Sequence, residues 1–322
     1  MANAAPPLPD PQAWTALHDG AVAVELADVG ALRLTGPDRV DFLNGQLAHD
    51  VRALPEGGAL RALYLDVKGH ALDEVRVHRR GKDLHVAVED GRAGAVLERL
   101  TAHRIFDDVT LEDLGPVLVC LTVQGPAAAD VVGRALGQPP PEDEGRFVQV
   151  PFASAEVLVA RHRRAGPGGV DLHLLRRDLP EVRTALRGAG AVAGDRAGLE
   201  ASRIAAGLPR AASDAGPGVL PQEAGLEEAI STRKGCYLGQ ETMARIEARA
   251  TLRRALARLR LTGPVGEDRR PPLRLDGREV GRLGSVAAHP DHGPIALAVV
   301  RRDLPTDAVL EAGTASAAIL TT

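Results

Sequence analysis

Two stretches of the chain share one pattern: a strand-like segment, then Gly-Pro, then a helical segment. In residues 31–47, Leu32 and Leu34 alternate with polar neighbours ahead of Gly36-Pro37. In residues 117–137, VLVCLTV runs into Gly125-Pro126 and then AAADVVGRALG. Alternation predicts a strand and the later spacing a helix. Proline is at home at the first helical position, where its missing N–H leaves nothing unpaired. The recurrence predicts a diverged internal repeat, hence two similar α+β halves, although Gly-Pro is also a common turn. Between the two stretches, strands are expected at 60–66, 73–78 and 84–88, then a helix at 92–102 with Ala93, Val96, Leu97 and Leu100 on one face. A further helix is expected at 178–190, with Asp178 as cap and Pro180 early. Proline and glycine clusters mark 137–146 and 163–169 as loops. Strand groups followed by helices, without steady βαβ alternation, favour α+β over a doubly wound sheet.

Past about residue 250 the helical spacing disappears. ALARLRL at 255–261 alternates, Asp276-Gly277 reads as a hairpin turn, and IALAVVRR and SAAILTT read as further strands. This predicts a small C-terminal β-barrel, because closure removes exposed strand edges. The expected division is 1–115 for the first half, 116–248 for the second, and 249–322 for the barrel, with the two halves free to interleave.

Composition narrows the function classes. A formal charge of −4 and 44% hydrophobic residues fit a globular chain and not a general nucleic-acid binder, leaving room for a local basic groove. The start, MANAAPPLPDPQ, lacks the basic and apolar segments of a secretory signal, and no apolar run is long enough for a membrane span. A cytoplasmic protein is expected. Two cysteines, Cys120 and Cys236, are too few for a disulfide framework, a structural zinc site or an iron–sulfur cluster held by this chain alone. His289 and His292 in HPDH lack an evident third ligand, so no metal site is expected. GAGAVAGD at 188–195 follows a helix and not a strand, against a dinucleotide loop.

The chain uses 36 arginines and only three lysines, two tyrosines and two methionines. Against that bias, 234–243 (KGCYLGQETM) gathers Lys234, Cys236, Tyr237 and Met243, and 64–73 gathers Tyr64 and Lys68. Gly235 and Gly239 let the backbone turn tightly or approach a ligand. Arg233, Lys234 and Arg245 beside Cys236 would favour its thiolate. Two readings of Cys236 stand: a reactive thiol, or a small core residue. Cys120, within VLVCLTV, reads as core.

KGCYLGQE at 234–241, followed by Thr242-Met243-Ala244-Arg245, resembles the motif of the YgfZ-like folate-binding proteins, relatives of the glycine-cleavage T-protein. FLNGQLAHDV at 42–51, LYLDVKGHALDEVRV at 63–77, RIFDDVTLEDL at 104–114 and residues 199–223 extend the resemblance over most of the chain. The resemblance implies a three-domain ring holding tetrahydrofolate or a related folate near its centre. It implies support of iron–sulfur cluster assembly or repair, with client proteins or assembly machinery as partners, and a link to tRNA modification. It places Glu223 at the pterin edge, Arg203 and Arg245 at polar or anionic groups, and Tyr237, Gln240 and Glu241 as further folate contacts. Cys236 and Lys234 become the catalytic candidates. Asp73-Glu74 stands where T-proteins carry a pair of acids, one assisting aminomethyl transfer, so Asp73 joins them. That keeps a one-carbon transferase as the alternative, with a cysteine-dependent acyl or thiol enzyme without folate as a third. Two departures are Ala205, where relatives often show Glu, and the missing glycine after Arg245.

Overall fold

The computed structural model describes every residue except 1–5, 217, 236, 241, 244–251, 267, 269, 321 and 322. In chain order the first part runs α1 (Pro11–Asp19), β1 (Val22–Leu26), β2 (Gly30–Thr35), α2 (Arg39–Gln46), β3 (Ala59–Leu65), β4 (Ala71–Arg80), β5 (Asp83–Val88), α3 (Ala93–His103) and β6 (Thr110–Asp113). The second part runs β7 (Leu118–Gln124), α4 (Ala128–Leu136), β8 (Phe147–Phe152), β9 (Ala155–Arg161), β10 (Gly169–Leu175), α5 (Leu179–Gly188), β11 (Val192–Ala193) and α6 (Arg196–Ala205). The last part is β12 (Arg254–Leu261), β13 (Pro272–Leu275), β14 (Arg278–His289), β15 (Gly293–Arg301), β16 (Val309–Ala312) and β17 (Ala315–Ile319).

The expected repeat is present as topology. One sheet has the order β3-β4-β5-β2-β6 and the other β8-β9-β10-β7-β1-β11, so each is a three-strand meander laid beside the strand that opens the unit. The second sheet borrows β1 from the start of the chain. Both Gly-Pro turns work through their glycine. Gly36 (φ 102°) and Gly125 (φ 119°) are left-handed, and a Cβ at either would collide with a carbonyl oxygen, of Asp108 or Gly20. The prolines are not at the first helical position as expected. Pro37 and Pro126 each precede the cap residue, Asp38 and Ala127, so they set the entry to the helix from outside it.

Each sheet has one apolar face under two helices. Leu32, Leu34, Val75, Val77, Val86 and Val88 pack with Phe42, Leu43, Val96 and Leu100 of α2 and α3. Val119, Leu121, Val159 and Leu172 pack with Val131, Val132, Val182 and Leu186 of α4 and α5. Because strand side chains alternate, the other face of each sheet carries the remaining residues. Those faces mix polar and apolar residues, and they meet each other, with Ala87 of the first sheet packed with Val24, Leu26 and Cys120 of the second. His78 and His85 of the first sheet lie against His173 of the second, with ring centroids 5.6 and 4.8 Å apart.

The last six strands close into a barrel in the order β12-β15-β14-β13-β16-β17. Asp276 and Gly277 both take positive φ at the β13–β14 turn, as a two-residue hairpin requires. The barrel is tied to the rest by α6, through Ala201 and Ile204 against Ala287, Ile295 and Leu297. Residues 211–230, with buried Ala211, Val219, Leu226 and Ile230, fill the gap between the barrel and β3. No helix among the described residues is long and apolar enough to cross a membrane.

Candidate functional site

Where the two faces diverge, a cavity of about 610 Å³ opens between the sheets and the segment after α6. Strand alternation supplies its walls: Arg61 of β3, Glu74 and Arg76 of β4, and Glu89 just past β5 on one side, His162 and Arg164 after β9 on the other. Glu200 and Arg203 of α6 close it.

Arg164 joins the two walls. Its guanidinium donates to Glu89 at 2.8 and 2.9 Å and to Asp171 at 2.7 and 3.0 Å. Burial opposes the charge on Glu89, but Arg164 outweighs it and holds that carboxyl at about 2. Asp171 is likewise buried, and Arg164 with His162 holds it well below the usual carboxylate range. Burial, reinforced by Arg164, lowers His162 to about 4, so the ring is neutral. Its Nδ1, 2.8 Å from Asp171 Oδ2, must then carry the proton, because the carboxylate can only accept. Cys120, Asp171 and His173 bring possible ligand atoms within 4.8 Å of one another. With Asp171 committed to Arg164, that trio fits a packed core better than a metal ion.

The acid pair at 73–74 is split by the strand. Asp73 faces the helices, fully buried, between Arg92 at 2.8 Å and Arg99. Asp73 therefore does not reach the cavity, and the acid that does is Glu74. Glu74 accepts from Arg61 Nε at 2.7 Å and from the Ala211 N–H at 3.2 Å. Despite its burial, Arg61 keeps its pKa lowered.

Arg203 lines the cavity, but its donors are spent internally. It pairs with Asp214 at 2.8 Å and Glu200 at 3.0 Å and donates to the Leu208 carbonyl. Asp214 in turn accepts from the Ser285 N–H of the barrel, so Arg203 is part of the joint between α6 and the barrel. Glu223 does not line the cavity. Both its oxygens meet Arg254, at 2.7 and 3.1 Å, and one also accepts from the Leu220 N–H. Glu228, five residues further on, does line it, and makes no hydrogen bond or ion pair among the described residues.

Among the described residues, none of the lysine motif lines the cavity. Lys234 is buried, and its ammonium donates to the carbonyls of Asn44, Leu47 (2.6 Å) and His49 (3.2 Å), at the end of α2. Burial lowers its pKa to about 8. Its nitrogen lies 4.9 Å from the Tyr237 ring centre, and Gln240 Nε2 donates to the Lys234 carbonyl at 3.4 Å. Gly239 (φ 88°) lies so close to Asp66 that an added Cβ would strike the Asp66 carbonyl, which seats the motif on the β3–β4 turn. The motif's link to the cavity is His49, which lines it. Cys236, Glu241 and Arg245 lie outside the described residues.

Sequence reasoning missed Arg61, Arg76, Glu89, Arg164 and Asp171. For Arg76 and Asp171 the available signal was alternation: Glu74, Arg76 and His78 in DEVRVH, and Asp171 and His173 in VDLHLL, fall at every second position between apolar residues.

Comparison with known proteins follows the same lines. The chain is 28% identical over 309 residues to an aminomethyltransferase of Saccharopolyspora erythraea, covering 89% of this chain and 81% of that one. It is 27% identical over 310 residues to the tRNA-modifying protein YgfZ of Yersinia enterocolitica, covering 92% and 90%. A chloroplastic protein of Arabidopsis thaliana named as a transferase is 26% identical over 86% of this chain, which spans 64% of that protein's length. The crystal structure of the glycine cleavage system aminomethyltransferase T from Bartonella henselae superposes with a TM-score of 0.81 over 100% of this chain and 93% of that one, at 19% identity. The GCVT N-terminal domain matches residues 12–234, more than half the chain, and these agreements identify the protein as a YgfZ-like member of that family, related to the glycine-cleavage aminomethyltransferases.

Proposed function

We propose that the protein binds tetrahydrofolate or a related folate in the cavity between its two sheets. In this reading it acts in the cytoplasm as an accessory factor for assembly or repair of iron–sulfur proteins, with a link to tRNA modification. The observation that carries the reading is the cavity: about 610 Å³, between the two sheets, with both carboxylates and guanidinium groups on its wall. A pterin edge presents paired N–H donors that a carboxylate can accept, and a glutamate tail presents carboxylates that arginine binds in a fork. With Glu223 held by Arg254, Glu228, a wall acid with no partner among the described residues, is the candidate to meet the pterin. Relatives named as a tRNA-modifying protein and as aminomethyltransferases support a folate ligand and leave the role open between them. The state of Glu74 favours the accessory role over aminomethyl transfer. An acid already bonded to Arg61, with a lowered pKa, is a weak proton acceptor.

Calorimetric titration of the purified protein with tetrahydrofolate is expected to show one saturable site; the reading is lost if no saturable heat appears. In cells depleted of the wild-type chain, Cys236→Ala is expected to restore iron–sulfur enzyme activity poorly. Restoration equal to wild type would remove the thiol from the mechanism while leaving folate binding intact.

A further inference from the structure

Among the described residues, several arginines of the cavity wall are tied to carboxylates by hydrogen-bonded ion pairs. Arg61 has Glu74, Arg164 has Glu89 and Asp171, Arg203 has Glu200 and Asp214, and Arg210 has Asp90 and Glu200. Arg76, on β4 beside them, is largely buried without such a pair. Its side chain is only 11% exposed, and its nearest carboxylate oxygen, on Glu144, is 3.9 Å away, beyond hydrogen-bond distance. Its Nε is buried with no partner, and no side-chain hydrogen bond from Arg76 occurs among the described residues. Glu144 is a weak counterion for it, being half exposed, at 3.9 Å, with its other oxygen accepting from the Arg163 N–H at 2.8 Å. A largely buried guanidinium with an unmatched Nε and only a distant carboxylate destabilises the folded chain. Burial, with Arg61 as a neighbour, opposes the charge on Arg76 and lowers its pKa. Such a group is costly in the empty protein and becomes favourable once an anion arrives.

We infer that Arg76 is the residue that receives a carboxylate of the ligand, and that the cavity selects folates through their glutamate tail. The planar fork of Arg76 matches a carboxylate with two parallel N–H···O bonds. The inference rests on the folate reading and deepens it.

The test compares folic acid with pteroic acid, which lacks the glutamate, on wild type and Arg76→Gln by calorimetry, with melting of each ligand-free protein alongside. Wild type is expected to prefer folic acid. Arg76→Gln is expected to bind folic acid about 10- to 100-fold more weakly while binding pteroic acid as before. The ligand-free variant is expected to melt at the wild-type temperature or above, since an unmatched buried charge has been removed. A variant that keeps the wild-type preference for folic acid overturns the inference and spares the folate reading. So does one that melts lower and loses both ligands alike. Wild type that binds neither ligand overturns the folate reading, and the inference with it.

Discussion

Arg164→Met is expected to lower the stability of the protein by about 3–5 kcal/mol at neutral pH, the range for breaking a buried ion pair from one side. The side chain carries two carboxylates, Glu89 from the first sheet and Asp171 from the second, both buried. Methionine fills similar space but leaves both charges uncompensated between the sheets. The pH dependence identifies the mechanism. In the wild type, Glu89 is held at about 2 and Asp171 well below its ordinary value. Groups with depressed folded pKa values contribute stability that is complete above their unfolded values, near pH 4–5, and is lost as pH falls toward 2. In the variant, burial without the arginine raises both carboxyls, so acid relieves the strain instead of adding to it. His162, no longer opposed by the guanidinium, also becomes free to protonate beside Asp171. The stability gap between wild type and variant should therefore narrow from pH 7 to pH 4 in urea unfolding. A loss under about 1 kcal/mol, the ceiling for an exposed pair, or a gap that widens in acid, would show that Arg164 is not the tie we describe.

Lys234→Met should cost about 1–3 kcal/mol, because it removes the donor shared by the carbonyls of Asn44, Leu47 and His49 at the end of α2. A cation there also complements the carbonyl end of the helix dipole. Arginine is not expected to rescue the loss. The three acceptors surround a point, which suits an ammonium with rotatable donors and not a planar fork. Thermal melting of the methionine and arginine variants measures this directly. Equal stability of the wild type and Lys234→Arg would contradict the three-carbonyl cradle. The same change releases the motif from α2, so folate affinity should fall along with stability through the His49 side of the cavity.

Much of the fold was readable before any coordinates. The expected strands at 60–66, 73–78 and 84–88 are β3, β4 and β5, and the expected helices at 92–102 and 178–190 are α3 and α5, each within a few residues. The recurrence of strand, Gly-Pro and helix became two sheets with one strand order. The site was less readable. The motif at 234–241 stood out through rare residues, but its lysine turned out to hold a helix end, and Asp73 faced away from the cavity that Glu74 reaches. Arg203 and Glu223 were singled out by position in a motif, and each is committed to a partner that no motif reveals.

The division follows from the range over which each force acts. Alternation and helical spacing are settled by neighbours along the chain, so the sequence alone determined the elements, the repeat and the barrel hairpins. Whether a polar strand face meets water or another polar face depends on residues far apart: Arg164 finds Glu89 across 75 positions, and Arg61 finds the Pro209 carbonyl across 148. Charge pairing in a dry interior is decided by that packing, since burial makes each unmatched group costly and each match specific. Only the tertiary structure could show which charges were matched, and that Arg76 has no hydrogen-bonded side-chain partner among the described residues.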